Sequence, residues 1–282
     1  MKYTLKNAQM QVTVASLGAE LISVKKDGKE RIWQNPTGEW AGHAPLLFPV
    51  CGHCGVTVDG VAYPIGLHGV ARKSVFTLTQ QTDTALHFVL TDNEQTRKVF
   101  PYAFVFEVVY RLDGDTLSID FCVKNPANTP LYFACGSHES YALDGNVDEY
   151  QVEFDKEETL THRPHNAGGY LTGERVDYGV KKVLDLPREV LQNGDTLIFE
   201  GVQSRKVRLV KKGVGAVAEI TFEGFENLLF WRAGDAEYIC IEPWTNLPDL
   251  ADIPDVEFST KAGVMKLGAG EEKTLTRTIK YL

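Results

Sequence analysis

The sequence predicts an all-β protein, a large antiparallel β-sandwich in a single domain over residues 1–282. Three observations carry this. Apolar and polar residues alternate with period two along most of the chain. Asp-Gly pairs, which tolerate the positive φ of tight hairpin turns, punctuate the alternation. Helical periodicity is nearly absent, and no Pro/Gly/Ser linker or internal repeat divides the chain.

The elements follow in order. "MQVTVAS" and "AELISVKK" open the series, then "VTV" and "VAYPI" flank Asp59-Gly60. "SVFTLTQQ" and "ALHFVLT" come next, and a short turn from Asp92 to Lys98 is the best helical candidate, with Asp92 as its N-cap. "FVFEVVYRL" puts Phe104, Phe106, Val108, Tyr110 and Leu112 on one face, with Glu107 and Arg111 on the other. After Asp113-Gly114, "DTLSIDFCV" keeps Leu117, Ile119, Phe121 and Val123 in phase. Leu143 to Arg188 reads as loops and short strands over one side of the sheet. "TLIFE", "KVRLVKK", "AVAEITF" and "TLTRTIKYL" complete the set.

Composition narrows the function. A net charge of −9 over 282 residues argues against nucleic acid, whose binding needs a basic footprint. No apolar run is long enough to cross a bilayer, and no lysine block suggests a membrane surface. The opening "MKYTLKNAQMQVTV" alternates with polar residues where a signal peptide would be continuously apolar. Five scattered cysteines disfavour a disulfide framework, so a reducing cytoplasm is expected. Cys51 and Cys54 in "CGHCG" have no second pair downstream, and we expect free thiols and no metal there.

The chemistry concentrates in three places. "EYICIEPWT" puts Glu242 on the face of Tyr238 and Cys240 and then ends the strand at Pro243, and a carboxylate so placed is costly to bury unpaired. "GLHGVAR" sets His68 beside Gly69, with Arg72 following. "YFACGSHESY" ends an apolar strand in His138. Binding residues sit on such strand-end loops. His87, His43, His162 and His165 read as surface, turn or loop residues. Trp33, Trp231, Trp244 and Tyr141 are aromatic rings that could stack on the apolar face of a ligand, although each alone reads as core.

The ordered series "GAELISVKKDGKERIWQ", "APLLFPVCG", "LHGVARKSVF", "DNEQTRKVFPYAF", "GSHESY", "FEGFENLLFW" and "CIEPW" resembles the aldose 1-epimerase (galactose mutarotase) family, in its short bacterial branch. The resemblance implies the galactose mutarotase-like supersandwich, an open sugar cleft and no cofactor. It implies that His68 and Arg72 hold sugar hydroxyls, that His138 is the general acid and Glu242 the general base, and that Asp195 in "NGDTLIF" binds substrate. Three departures from the family pattern stand out. Glu139 and Ser140 follow the second histidine in place of proline and an aromatic residue. Val70 stands where phenylalanine is usual, and His53 where arginine is often found.

The implied reaction interconverts the α and β anomers of a free aldose by ring opening and closure. One base at the C1 hydroxyl and one acid at the ring oxygen suffice, each contributing about 10²–10⁴-fold. A glutamate ionised at neutral pH suits the base, and a histidine protonated near neutrality suits the acid. The expected partner is a monosaccharide. The rival readings are a carbohydrate-binding domain without catalysis, a sugar-phosphate epimerase with further basic residues such as Arg163 or Arg232 at the cleft, and a glycoside hydrolase. The hydrolase would need a second carboxylate from Glu139 or Asp195.

Overall fold

The structure is a computed structural model that describes residues 1–191, 194–252 and 256–282. A fifteen-stranded, mainly antiparallel sheet dominates, with a four-stranded sheet at the N-terminus and two short two-stranded ribbons beside it. The four-stranded sheet, built from Lys2–Lys6, Met10–Ala15, Leu21–Lys26 and Lys29–Glu30, lies over Ala85–Thr91 and Val105–Asp113. Tyr3 meets Phe88 edge-on at 5.6 Å, and the Tyr110 hydroxyl donates to the Ala19 carbonyl at 2.7 Å. This is the expected sandwich. Among the described residues, no helix is long and apolar enough to cross a membrane.

The alternation is realised residue by residue. Phe104, Phe106, Val108, Tyr110 and Leu112 are buried, and so are Leu117, Ile119, Phe121 and Val123 on the paired strand Thr116–Lys124. These residues join one large apolar core that also holds Phe48, Phe76, Phe225 and Phe230.

Three local expectations change. The short helix is Glu94–Arg97, and its cap is Asn93, whose side chain accepts from the backbone of Gln95 and Thr96. Asp92 instead accepts from the Phe104 N–H, which ties the turn to the next strand. The Leu143–Arg188 section contains Tyr150–His162 and Val176–Asp185, a long antiparallel pair with register shifts. Its outer strand is exposed at most positions, so it lacks the clean period-two signal of a half-buried strand. Pro243 does not end its strand, which runs from Tyr238 to Trp244. Pairing on one side is interrupted at His138, between Gly136–Ser137 and Glu139–Ala142, close to where proline has no N–H to give.

The strand Tyr238–Trp244 is buried along its whole length, between Asn227–Trp231 on one side and Gly136–Ala142 on the other. Gly136 pairs with Trp244 and Glu139 with Ile241 in one continuing register, which sets His138 directly opposite Glu242. Alternation then sends Glu139 to the core face, where it meets Arg277 of the C-terminal strand Glu272–Tyr281. Both side chains are fully buried. Removing one partner of such a pair strands the other charge. Arg277→Met should therefore destabilise the protein by about 3 kcal/mol or more at pH 8. Glu139→Gln combined with Arg277→Met should recover most of the loss in urea unfolding. A single variant as stable as the parent would show that the pair bears no load.

Candidate active site

A cavity of 240 Å³ opens on the solvent side of this strand pair. His68, Arg72, His138 and Glu242 all line it, and so do Trp40, Trp231 and Trp244. Four of the five residues singled out from the sequence therefore converge. Asp195 does not: its side chain is exposed, and the wall is formed instead by its neighbour Thr196 and by Ile198.

His68 is held by backbone geometry. Its φ is +61° and that of Gly69 is +73°, so the chain makes two successive left-handed steps. A Cβ at position 69 would overlap the Phe48 carbonyl, which makes glycine obligatory there. His68 Nδ1 accepts from the Gly52 N–H at 3.0 Å, so the neutral ring carries its proton on Nε2. Burial, with His138 and Arg72 nearby, holds the His68 pKa well below the ordinary 6.5. The ring is thus a neutral donor. Arg72 follows in the 3₁₀ turn Ala71–Lys73, and its buried Nε has no protein partner.

His138 and Glu242 face each other with Nε2 and Oε2 3.4 Å apart, without closing a hydrogen bond. His138 Nδ1, Glu242 Oε2 and Trp244 Nε1 are all buried and unpartnered. Orphaned polar atoms are rare in folded proteins, and three around one cavity point to a polar ligand. Burial pushes the His138 pKa down to about 3. Burial also pushes Glu242 well above its ordinary 4.5, and the Glu139 carboxylate on the opposite face adds to the rise. Both shifts oppose charge, so the resting pair holds one proton. The imidazolium expected from sequence is therefore absent at neutral pH, because a ring this buried sheds its charge.

The walls are aromatic. Trp40 stacks on the His138 ring at 5.1 Å, and Trp231 meets it edge-on at 5.4 Å. Trp33 and Tyr141 do not reach the cavity: Trp33 packs on Tyr238, and Tyr141 is buried beside Arg277. Trp40, not singled out from the sequence, and His165, read there as a loop residue, also line the cavity. Trp40 lies in the irregular "GEWAGH" loop, where no periodicity marks it. His165 spends both ring nitrogens on the wall, Nδ1 on the Asn166 carbonyl and Nε2 on the Thr196 N–H. His87, His43 and His162 likewise have local partners outside the cavity.

Cys51 and Cys54 are buried free thiols. Burial raises the Cys54 thiol to about 12. A second cavity of 440 Å³ lies beyond Pro248, which it shares with the first. Its basic groups already face carboxylates, Arg163 and Arg175 on Glu200 and Lys261 on Asp249.

The comparison with known sequences agrees with this geometry: a family model described as aldose 1-epimerase matches residues 1–246. The chain belongs to the aldose 1-epimerase family. It is 30% identical over 268 residues to the protein LacX, chromosomal, of Lactococcus lactis subsp. lactis, covering 88% of both chains. Among solved structures it is similar to a galactose mutarotase-like protein from Lactobacillus casei, with a TM-score of 0.92, 27% identity and full coverage of both chains. A galactose mutarotase related enzyme from Lactobacillus acidophilus gives a TM-score of 0.91 and 28% identity, over 100% of this chain and 97% of the other.

For an aldose 1-epimerase family member, the local departures fall around His138 and Glu242 and leave both residues in place. Glu139 points into the core, while His53 stacks on Tyr170 at 4.9 Å beside the cavity. The unpaired Glu242 carboxyl is a stability cost. Its folded pKa is raised, so it favours folding only while protonated, and that contribution fades as pH rises through the folded value. Glu242→Gln should therefore stabilise the protein by about 1 kcal/mol or more. The gain should grow as pH rises above 4.5 and level off near the folded pKa. Thermal unfolding across this range checks it. A variant destabilised at every pH would make Glu242 a structural acid.

Proposed function

We propose that the protein is an isomerase that interconverts the α and β anomers of a free aldose, with Glu242 and His138 as the proton-transferring pair. The observation that carries the reading is this cross-strand pair, buried, 3.4 Å apart and short of hydrogen-bond partners in a cavity open to a small ligand. A volume of 240 Å³ is small for a ligand site and suits a single sugar ring.

The chemistry follows from one proton shared by two groups. Ring opening takes the proton from the C1 hydroxyl and delivers one to the ring oxygen. Rotation about C1–C2 and closure reverse the transfers from the other face, so the pair ends with the proton count it began with. With Glu242 as base, His138 holds the proton and acts on the ring oxygen. Sugar hydroxyls supply the hydrogen bonds that Oε2 and Nδ1 lack, which favours the ionic arrangement inside the occupied site. His68 donates from Nε2 and Arg72 from its guanidinium to hydroxyls remote from C1, supplying orientation. Trp40 and Trp231 offer ring faces and edges to the apolar side of the sugar. Asp195 stands one residue outside the wall and has no part in this scheme. The scheme calls for no cofactor.

Two features favour this reading over its rivals. Among the described residues, Glu242 is the one carboxylate lining the cavity, which disfavours the two-carboxylate mechanism of a glycoside hydrolase. Arg72 is the one Lys or Arg lining it among the described residues. Arg163 belongs to the other cavity, and Arg232 pairs with Asp235, so a sugar phosphate would find little compensating charge.

Glu242→Gln and His138→Asn should each lower kcat by about 10²-fold or more, measured by NMR exchange between anomers across several free and phosphorylated sugars. The two losses should be strongly non-additive, because both residues serve one step. Full activity in His138→Asn would remove it as the acid. Absence of anomer exchange with every sugar, alongside retained sugar binding, would favour the binding-domain reading.

The pH dependence is a separate test. The competent free enzyme holds one proton on the pair, and a second arrives only near the depressed His138 pKa of about 3. The acid limb of kcat/KM should then lie well below the ordinary histidine value of 6.5, with the pH 5 rate within about twofold of that at pH 7. The alkaline limb should track loss of the last proton from the pair. An acid limb near 6.5 would mean that His138 titrates as an exposed histidine.

A further inference from the structure

We propose that His138, Cys240 and Glu242 form a binding site for a borderline-soft divalent cation of the zinc class, with one coordination position left open toward the sugar cavity. Cys240 and Glu242 are two apart on one strand and so share a face, and His138 stands opposite Glu242 on the neighbouring strand. One donor atom from each lies within 4.8 Å of the others. Tetrahedral zinc with nitrogen, sulfur and oxygen ligands needs its donors roughly 3.3–3.8 Å apart. His138 Nε2 and Glu242 Oε2 already meet that spacing at 3.4 Å, so only the thiol has to close in.

Two of the three residues lack partners: His138 Nδ1 and Glu242 Oε2 are both buried without a hydrogen bond. On binding, the thiol proton of Cys240 and the carboxyl proton of Glu242 leave to solvent. Thiolate and carboxylate then neutralise the two charges of the ion. Three protein ligands and one open position are the arrangement of an exchangeable zinc site, whereas structural zinc is enclosed by four. Trp33, Ala236 and Tyr238 pack around Cys240 and exclude water from the sulfur side. A sulfur ligand selects zinc, cobalt or cadmium over magnesium and calcium, which prefer oxygen. A cation held there takes both members of the proposed acid–base pair out of proton transfer, so the site would be inhibitory.

The test is spectroscopic and requires no activity, so it stands or falls separately from the epimerase reading. Titrating the purified full chain with Co²⁺ should give a tetrahedral visible spectrum and a near-ultraviolet thiolate-to-cobalt band, saturating at one equivalent. Zn²⁺ should displace the cobalt, while Mg²⁺ and Ca²⁺ should not. The band should persist in Cys51→Ser and Cys54→Ser and vanish in Cys240→Ser, with Zn²⁺ affinity falling by at least about tenfold, the loss seen when even a ligand's supporting group is removed. Should Cys240→Ser not fold, His138→Asn and Glu242→Gln carry the same expectation of a tenfold loss. Saturating Co²⁺ with no thiolate band, or a band that survives Cys240→Ser, overturns the site.

Discussion

The structure depends on one strand register. Gly136–Ala142 runs antiparallel to Tyr238–Trp244 so that His138 meets Glu242 on the cavity side, while Glu139 and Ile241 meet on the core side. A one-residue slip of Gly136–Ala142 would send His138 into the core and Glu139 out toward the cavity, exchanging the faces of every side chain on that strand. The buried Glu139–Arg277 pair makes that slip prohibitive, because Arg277 belongs to a different strand and would be left inside without its counter-charge. The ion pair thus acts as a register lock for His138 and Glu242 on the other face. It also reaches through the sheet electrostatically, since the Glu139 carboxylate is one of the groups raising Glu242.

The site is built at the expense of local stability. His68 and His138 are buried as neutral rings, so as pH falls below 6.5 the unfolded chain binds protons that the folded one refuses, and stability falls with it. Glu242 is held near neutrality from the opposite side, through a raised pKa. The large apolar core and the long ladders around it absorb these costs. Such expense is expected where binding groups must stay unpaired until substrate arrives. The same shortage of partners underlies both the proposed contacts of Glu242 and His138 with sugar hydroxyls and the proposed metal site.

What the sequence made legible was whatever leaves a local trace. Period-two alternation is local, so the strands from Met10 to Leu112 and the sandwich class could be read directly. A carboxylate closing the apolar run "YICIE" is local too, and it marked Glu242. Convergence was not local: nothing in "GSHESY" indicates that its histidine lies across from residue 242, since pairing partners are chosen by the whole sheet. The resemblance supplied that link. The exposed strand Val176–Asp185 could not be read because neither of its faces is consistently buried, and alternation is a signature of burial rather than of strands. Trp40 was missed because a loop aromatic has no phase. Asn93 was passed over as a cap because Asp92, beside it, offers the same chemistry, and one residue of offset is below what composition resolves.

The core face explains the departure after the second histidine. A proline there, usual in the family, has neither a charge nor an N–H to satisfy. Glu139 brings a carboxylate into a fully apolar interior and therefore requires a cation within reach. Arg277 supplies it from the C-terminal strand, beyond the family match that ends at residue 246. Arg277 sits between Phe222 and Ile119 in its own ladder, far from Glu139 along the sheet, so the two charges meet across the sandwich interior. Tyr141 and Tyr281 add hydroxyls to the same enclosure, both without protein partners. A contact of this kind fastens the strand carrying His138 to the opposite wall of the domain, where a proline and an aromatic ring would only pack. Rigidity behind His138 and Glu242 suits the proposed reaction, which needs two groups held on opposite sides of one bond. The changed residue therefore does more than mark divergence: it moves the anchoring of His138 from local chain stiffness to a long-range ion pair.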